Sequence, residues 1–275
     1  MKKASISIGK RQLGGKELLF ILGPCVIESR PFLFKTARKI HEICEGEGAS
    51  FIFKASYDKA NRSSLHSFRG SNVEEGCKVL HEVGKTIGAP VTTDVHSPAE
   101  AEIAAAYIDL LQIPAFLCRQ TDLILAAAAT KRIINVKKGQ FLAPWEVTNI
   151  AQKLEKGGCR DYFFTERGTT FGYNNLVADM RSIFWIQNLN YRVVFDATHS
   201  VQRPGGAGTS TSGDAILAPV LARAAVAAGC DGIFLETHPN PKNALSDGPN
   251  QIPLRQLPRL LRALQSIRNA FIENL

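Results

Sequence analysis

The chain has 275 residues, with 33 Lys and Arg against 25 Asp and Glu, a formal charge of +8. At 45% hydrophobic and 21% charged residues it has the composition of an ordinary globular protein, and no apolar run reaches the roughly 18–20 residues of a membrane span. The basic start, Met1-Lys2-Lys3, leads into polar residues and not into a signal-peptide core, and the six Cys are scattered without a CxxC pair, so the chain reads as cytoplasmic, from a reducing compartment.

In chain order, residues 3–17 show short alternation with a Gly14-Gly15 turn, predicting a small hairpin. Apolar, β-rich runs follow at Leu18–Cys25, Ser50–Ser56, Pro90–His96, Ile108–Ala115, Arg132–Lys138, Asp161–Arg167, Arg192–His199 and Asp231–Thr237. Most are continuous Val, Ile, Phe and Leu, the pattern of strands buried on both faces of a parallel sheet. Amphipathic segments lie between them, among them Phe32–Gly48, Val73–Ile87, Pro98–Tyr107 and Ile216–Gly229, and Leu254–Leu275 ends the chain as a helix. Gly48, Gly88 and Gly229 stand where helix C-caps belong. Strand and helix alternate eight times, which predicts an α/β fold: one (β/α)8 TIM barrel domain over 1–275, its bottom closed by the short N-terminal β-hairpin. A doubly wound sheet is the second choice, since no GxGxxG turn is present.

Each predicted strand ends in polar residues. These are Cys25 and Glu28, Lys54 and Ser56, Asp94 and His96, Gln112, Lys137 and Lys138, Glu166 and Arg167, Asp196 and His199, and Glu236 and His238. In a barrel such ends converge on the face that carries active sites. One charged strand end is only an exit to solvent; eight together point to a site, with Asp94, His96 and Gln112 as candidate substrate contacts.

Lys54, Lys59, Arg62, Lys137 and Arg167 can surround one cavity, and Lys and Arg are the usual clamps for phosphate. Asn61 and Ser63, flanking Arg62, suit a second phosphate; the bland alternative is a solvated polar loop. The dispersed positive charge, with no block of five cations, argues for small phosphorylated molecules over nucleic acid or a membrane surface. Cys25, His199, Glu236 and Asp247 form a mixed soft and hard donor set that Mn²⁺, Fe²⁺, Co²⁺ or Zn²⁺ takes, although a lone Cys at a strand end is also a common packing residue. The Gly-rich stretch 204–213 lacks a P-loop lysine and reads as a mobile loop over the site. Trp145 and Trp185 read as core.

Gly23-Pro24-Cys25-Val26-Ile27-Glu28-Ser29, Phe53-Lys54-Ala55-Ser56-Tyr57-Asp58-Lys59-Ala60-Asn61-Arg62-Ser63-Ser64 and Thr93-Asp94-Val95-His96 together resemble the 3-deoxy-D-manno-octulosonate 8-phosphate synthases. So do the segments beginning at Gln112 and Asn135, Glu166-Arg167-Gly168, Phe195-Asp196-Ala197-Thr198-His199-Ser200, Glu236-Thr237-His238-Pro239 and Asp247-Gly248-Pro249. The Lys-Ala-Asn-Arg-Ser-Ser loop is the most discriminating piece; the sister family, which makes the seven-carbon sugar acid from erythrose 4-phosphate, carries a Lys-Pro-Arg-Thr type loop there. The resemblance implies a (β/α)8 homotetramer that condenses phosphoenolpyruvate with arabinose 5-phosphate, without a Schiff base, in lipopolysaccharide biosynthesis.

It further implies that Lys54, Ser56, Lys59, Lys137 and Arg167 hold phosphoenolpyruvate and that Asn61, Arg62 and Ser63 hold arabinose 5-phosphate. That last loop would reach the pocket from a neighbouring subunit. Cys25 matches the metal-dependent class of the family, with His199, Glu236 and Asp247 as the other ligands. Lys59, Asn61, His199 and Asp247 are the candidates for the catalytic step. A Schiff-base aldolase, a seven-carbon sugar acid synthase and a non-catalytic phosphosugar binder are the rival readings.

Overall fold

The computed structural model describes residues 4–60, 68–205 and 212–274. Among these, eight parallel strands form the main sheet: β1 (Leu19–Gly23), β2 (Phe51–Lys54), β3 (Val91–Asp94), β4 (Leu110–Ile113), β5 (Ile133–Lys137), β6 (Tyr162–Glu166), β7 (Val193–Asp196) and β8 (Gly232–His238). Each pairs with the next, and β8 pairs with both β7 and β1, so the sheet closes into a barrel. Eight helices alternate with the strands: α1 (Arg30–Gly46), α2 (Val73–Ile87), α3 (Pro98–Ala105), α4 (Thr121–Ala129), α5 (Val147–Lys156), α6 (Arg181–Asn188), α7 (Ala218–Ala227) and α8 (Leu257–Glu273). The expected (β/α)8 architecture is therefore present.

Local sequence sets the helix ends. Ser29, Asn72 and Ser97 cap α1, α2 and α3 by accepting the amides of Phe32, Glu75 and Glu100. Gly88 ends α2 in the left-handed region at φ 60° and returns its N–H to Gly84 O.

The core has two layers. The outer one lies between strands and helices, where Leu33, Ile40, Leu80, Val83, Ile124 and Leu154 meet Phe53, Leu111, Val136 and Phe164. The inner one fills the barrel with Leu19, Ile21, Ile52, Leu110, Phe163, Val194 and Phe234, and joins Ile6, Ile8 and Leu13 of the N-terminal hairpin. That hairpin, Ile6–Ile8 against Arg11–Leu13, plugs the bottom as expected. Its turn falls at Gly9, φ 59°, and not at Gly14-Gly15, which lies past the second strand. Arg268 on α8 ties that exit down by donating to Gly15 O and Lys16 O at 2.9 and 3.1 Å.

Seven of the eight hydrogen-bonded strands are shorter than their apolar runs, while β8 is as long as its run and shifted by one residue, to Gly232–His238. Two short hairpins and the pair Ile252–Pro253, which adds to the end of β8, carry no sequence signal strong enough to be predicted. Trp145 and Trp185 are 58% and 45% exposed, packed edge-on against each other at 6.3 Å, so they are not core residues of this chain.

Candidate active site

At the C-terminal end of the barrel the inward-facing side chains change from apolar to polar. Thr165 Oγ1 donates to Asn135 Oδ1 at 2.8 Å, Asn135 Nδ2 to Gln112 Oε1 at 2.9 Å, and Gln112 Nε2 to Asp94 Oδ1 at 2.6 Å. All three bonds point toward Asp94, whose other oxygen accepts from Ser56 Oγ at 2.5 Å. Burial opposes the charge on Asp94, but Lys54 and Lys137 outweigh it with these donors and hold the carboxyl well below its usual range.

On this polar floor stand the cations. Lys54 leaves β2 where Gly23 closes in from β1; a Cβ on Gly23 would come within 1.8 Å of Lys54 O, so only glycine fits. Lys54 Nζ is 3.2 Å from Glu236 Oε1, 3.5 Å from Asp94 Oδ2 and 3.2 Å from Cys25 O. Burial works against the ammonium, but these two carboxylates more than restore it and its pKa is raised. Lys137 Nζ lies 2.7 Å from Asp196 Oδ2 and 4.1 Å above the centre of the Phe234 ring. Arg167 reaches Gln202 Oε1 at 2.7 Å, and burial lowers its pKa against the pull of Asp196 and Asp247. Lys138, by contrast, turns into the wall, where its ammonium donates to Gly139 O and Leu142 O.

In contact with Lys54 lies a second cluster. Cys25 continues the pairing of β1 with β2 through the Val26–Ser56 bridge. Asp247 sits in the β8–α8 loop at φ 48°, an uncommon conformation for a non-glycine residue. Leu245 N donating to Glu28 Oε1 at 3.1 Å and Gln251 Nε2 donating to Ser246 O at 2.8 Å fix the loop on either side. Potential ligand atoms of Cys25, Glu236 and Asp247 all lie within 4.8 Å of one another. His199 Nε2 is 3.6 Å from Glu236 Oε1, while His199 Nδ1 lies 2.7 Å from Asp196 Oδ2. Lys59 Nζ supplies compensating charge, 2.9 Å from Cys25 Sγ and 3.0 Å from Asp247 Oδ2. Burial, then Asp247 and Glu236, push the Cys25 thiol well above its ordinary value; a bound cation would oppose all three effects.

One sulfur and two carboxylates gathered in a dry pocket are donors that first-row divalent ions accept. The residues fit a divalent metal ion cofactor.

Both clusters open onto one cavity of about 640 Å³. Lys54, Ser56, Lys59, Asp94, His96, Lys137, Arg167, His199, Glu236 and Asp247 line it, so the structure brings together most of the residues singled out in the sequence. Cys25 lies behind Lys59, and Gln112 lies beneath the cavity, its amide engaged by Asp94 and Asn135. Asn61, Arg62 and Ser63 lie outside the described residues, as do 206–211 of the Gly-rich stretch, while Pro204 and Gly205 reach the cavity wall. Asn135, Thr165 and Gln202 were not singled out, and Asp196 was noted only as a strand end, yet Asn135 holds Gln112, Thr165 holds Asn135, Gln202 holds Arg167, and Asp196 holds Lys137 and His199. Thr165 and Asp196 stand at strand ends, which is a signal; Asn135, in the middle of β5, is marked only as a polar residue inside a buried run, and Gln202, six residues past β7, carries none.

The DAHP synthetase I family model matches residues 2–273. Three relatives named 2-dehydro-3-deoxyphosphooctonate aldolase come from a Cyanothece strain, Trichlorobacter lovleyi and Geobacter sulfurreducens. They are 56%, 52% and 50% identical to this chain, covering 93%, 95% and 95% of it and 94%, 97% and 97% of themselves. With the barrel, the cation-lined cavity and the thiol–carboxylate cluster in place, the chain belongs to the DAHP synthetase I family, among the 2-dehydro-3-deoxyphosphooctonate aldolases.

Proposed function

We propose that the enzyme condenses phosphoenolpyruvate with D-arabinose 5-phosphate and water to give 3-deoxy-D-manno-octulosonate 8-phosphate and inorganic phosphate, for lipopolysaccharide biosynthesis. The observation that carries this reading is one cavity holding Lys54, Lys137 and Arg167 beside the Cys25–Glu236–Asp247 cluster. Two anionic substrates need the first group. A divalent ion held by Cys25, His199, Glu236 and Asp247 would supply Lewis-acid polarisation and orientation of a substrate oxygen.

In this reading Lys54, Ser56, Lys137 and Arg167 bind the phosphate and carboxylate of phosphoenolpyruvate and neutralise charge as the phosphate leaves. C3 of phosphoenolpyruvate adds to the aldehyde C1 of the pentose, water adds at C2, and C–O cleavage releases phosphate. Lys59 and His199 stand where a proton can be delivered or taken at the reacting oxygens, and Asp196 orients His199 through Nδ1. Asp94 and His96 contact the substrate from β3; Asn61, Arg62 and Ser63 hold the pentose phosphate. We read the assembly as a homotetramer of single-domain chains, which gives the exposed Trp145, Phe184 and Trp185 an apolar partner. Cytoplasmic residence is supported by six Cys that are all free and buried. Among the described residues no helix is long and apolar enough to cross a membrane.

The test is phosphate release from phosphoenolpyruvate plus arabinose 5-phosphate, after chelation and again after Mn²⁺ is restored. Loss followed by recovery is the expected result. Full activity after verified metal removal would keep the reaction and dismiss the metal. Preferential turnover of erythrose 4-phosphate would replace the eight-carbon product with the seven-carbon one.

A further inference from the structure

Ser97 and Glu100 have the spacing of a capping box, in which the carboxylate folds back to the N–H of the cap residue. Ser97 performs its half, accepting Glu100 N at 3.3 Å. The Glu100 carboxylate does something else. Its Oε2 accepts His96 N at 2.7 Å, faces His96 Nδ1 at 3.0 Å and accepts the Tyr57 hydroxyl at 2.5 Å.

Three donors on one oxygen exceed what a helix end requires. Tyr57 is buried, its ring edge-on to the His96 ring at 5.6 Å and 75°. Burial and the neighbouring Glu100 keep its phenol protonated, so its single proton goes to Glu100. The remaining contacts of His96 Nδ1 are thus the Glu100 carboxylate and a phenol oxygen 3.3 Å away whose proton is already committed. Both accept, so Nδ1 carries a proton and Nε2 is the ring nitrogen left to meet a ligand. Nε2 has no partner among the described residues, and His96 lines the cavity.

We propose that Glu100 is a positioning residue that locks His96 in the Nδ1–H tautomer, so that Nε2 accepts a hydrogen bond from a hydroxyl of the polyol phosphate. This rests on the reading of the cavity as a sugar phosphate site. Phosphoenolpyruvate has no hydroxyl to donate, so Glu100 acts on one substrate and not on the other.

Three variants of the full-length enzyme test this: Glu100→Ala, Glu100→Gln, which keeps a carbonyl acceptor, and Ser97→Ala, which loses the helix cap alone. Histidine ¹⁵N spectra of the substrate-free protein, assigned with His96→Gln, read the tautomer, and steady-state kinetics read each substrate. Glu100→Ala is expected to mix the His96 tautomers and to raise KM for arabinose 5-phosphate about tenfold, the loss of one directed hydrogen bond, while KM for phosphoenolpyruvate stays put. Glu100→Gln restores most of both readouts, and Ser97→Ala lowers thermal stability without moving either KM. An unchanged His96 signal in Glu100→Ala, or a parallel rise of both KM values, overturns the proposal. Absence of wild-type turnover with arabinose 5-phosphate overturns instead the substrate reading and with it the hydroxyl partner; the ¹⁵N signal, which needs no substrate, tells the two failures apart.

Discussion

Asp196 shows how much one carboxylate can organise. Its Oδ2 meets Lys137 and His199 at 2.7 Å each, and its Oδ1 accepts the His199 backbone amide at 2.9 Å. Burial opposes its charge, but His199 and Lys137 outweigh that and hold the carboxyl far below its usual range. Reading the sequence found the residues Asp196 holds and not the holder, because a buried carboxylate and a substrate-facing one look alike in a chain. The donor set was largely legible: Cys25, His199, Glu236 and Asp247 were grouped from positions at or after strand ends and from ligand chemistry, and Cys25, Glu236 and Asp247 meet, with His199 Nε2 3.6 Å from Glu236 Oε1. Replacing Cys25 with Asn is expected to leave a folded protein whose affinity for Mn²⁺ or Zn²⁺ falls at least about 10–100-fold, as loss of support around a metal commonly does. Metal content after dialysis at limiting metal, beside an unchanged circular dichroism spectrum, checks it; wild-type stoichiometry would remove Cys25 from the ligand set.

Elements were legible wherever burial is two-sided. Parallel barrel strands lie between an inner and an outer apolar layer, so β1, β2 and β7 read as nearly unbroken hydrophobic runs. What the chain does not carry is the distance along a run at which hydrogen bonding stops. Ile108–Ala115 was expected and Leu110–Ile113 is paired, since Pro114 cannot donate and Asp109 already bonds Val91 N by its side chain. Trp145 and Trp185 failed for another reason: hydrophobicity predicts burial without saying against what, and on this chain they remain open. The hairpin plug was predicted in place although its turn was not. Ile8→Ala is expected to cost about 2–4 kcal/mol by leaving a cavity under the barrel, with kcat/KM nearly unchanged because the site lies at the other end. Urea unfolding with parallel kinetics decides it, and loss of activity at full stability would contradict the separation of plug and site.

For the molecule as a whole, the acid limit of stability follows from its paired carboxyls. Asp94 is held well below its ordinary value, and Glu100, despite some burial, is drawn down to about 2 by His96 and Tyr57. Below about pH 4.5 the unfolded chain takes up protons that these groups refuse in the folded state, so their stabilisation is present above the ordinary carboxyl range and fades as pH falls through the folded values. The melting temperature should therefore drop steadily from pH 5 toward pH 3, and Asp94→Asn should flatten that slope. Identical slopes in both proteins would show that Asp94 is not one of the groups responsible.

The line of bonds from Thr165 through Asn135 and Gln112 to Asp94 has a consequence for how the barrel is assembled. Each link comes from a different strand, and a chain opened between β4 and β5 loses the Asn135–Gln112 bond at the seam, worth about 0.5–1.5 kcal/mol net. A partial ring is thereby penalised at its seam. The polar floor that serves the substrates therefore also favours the closed ring, adding to what the apolar layers on either side of the sheet supply.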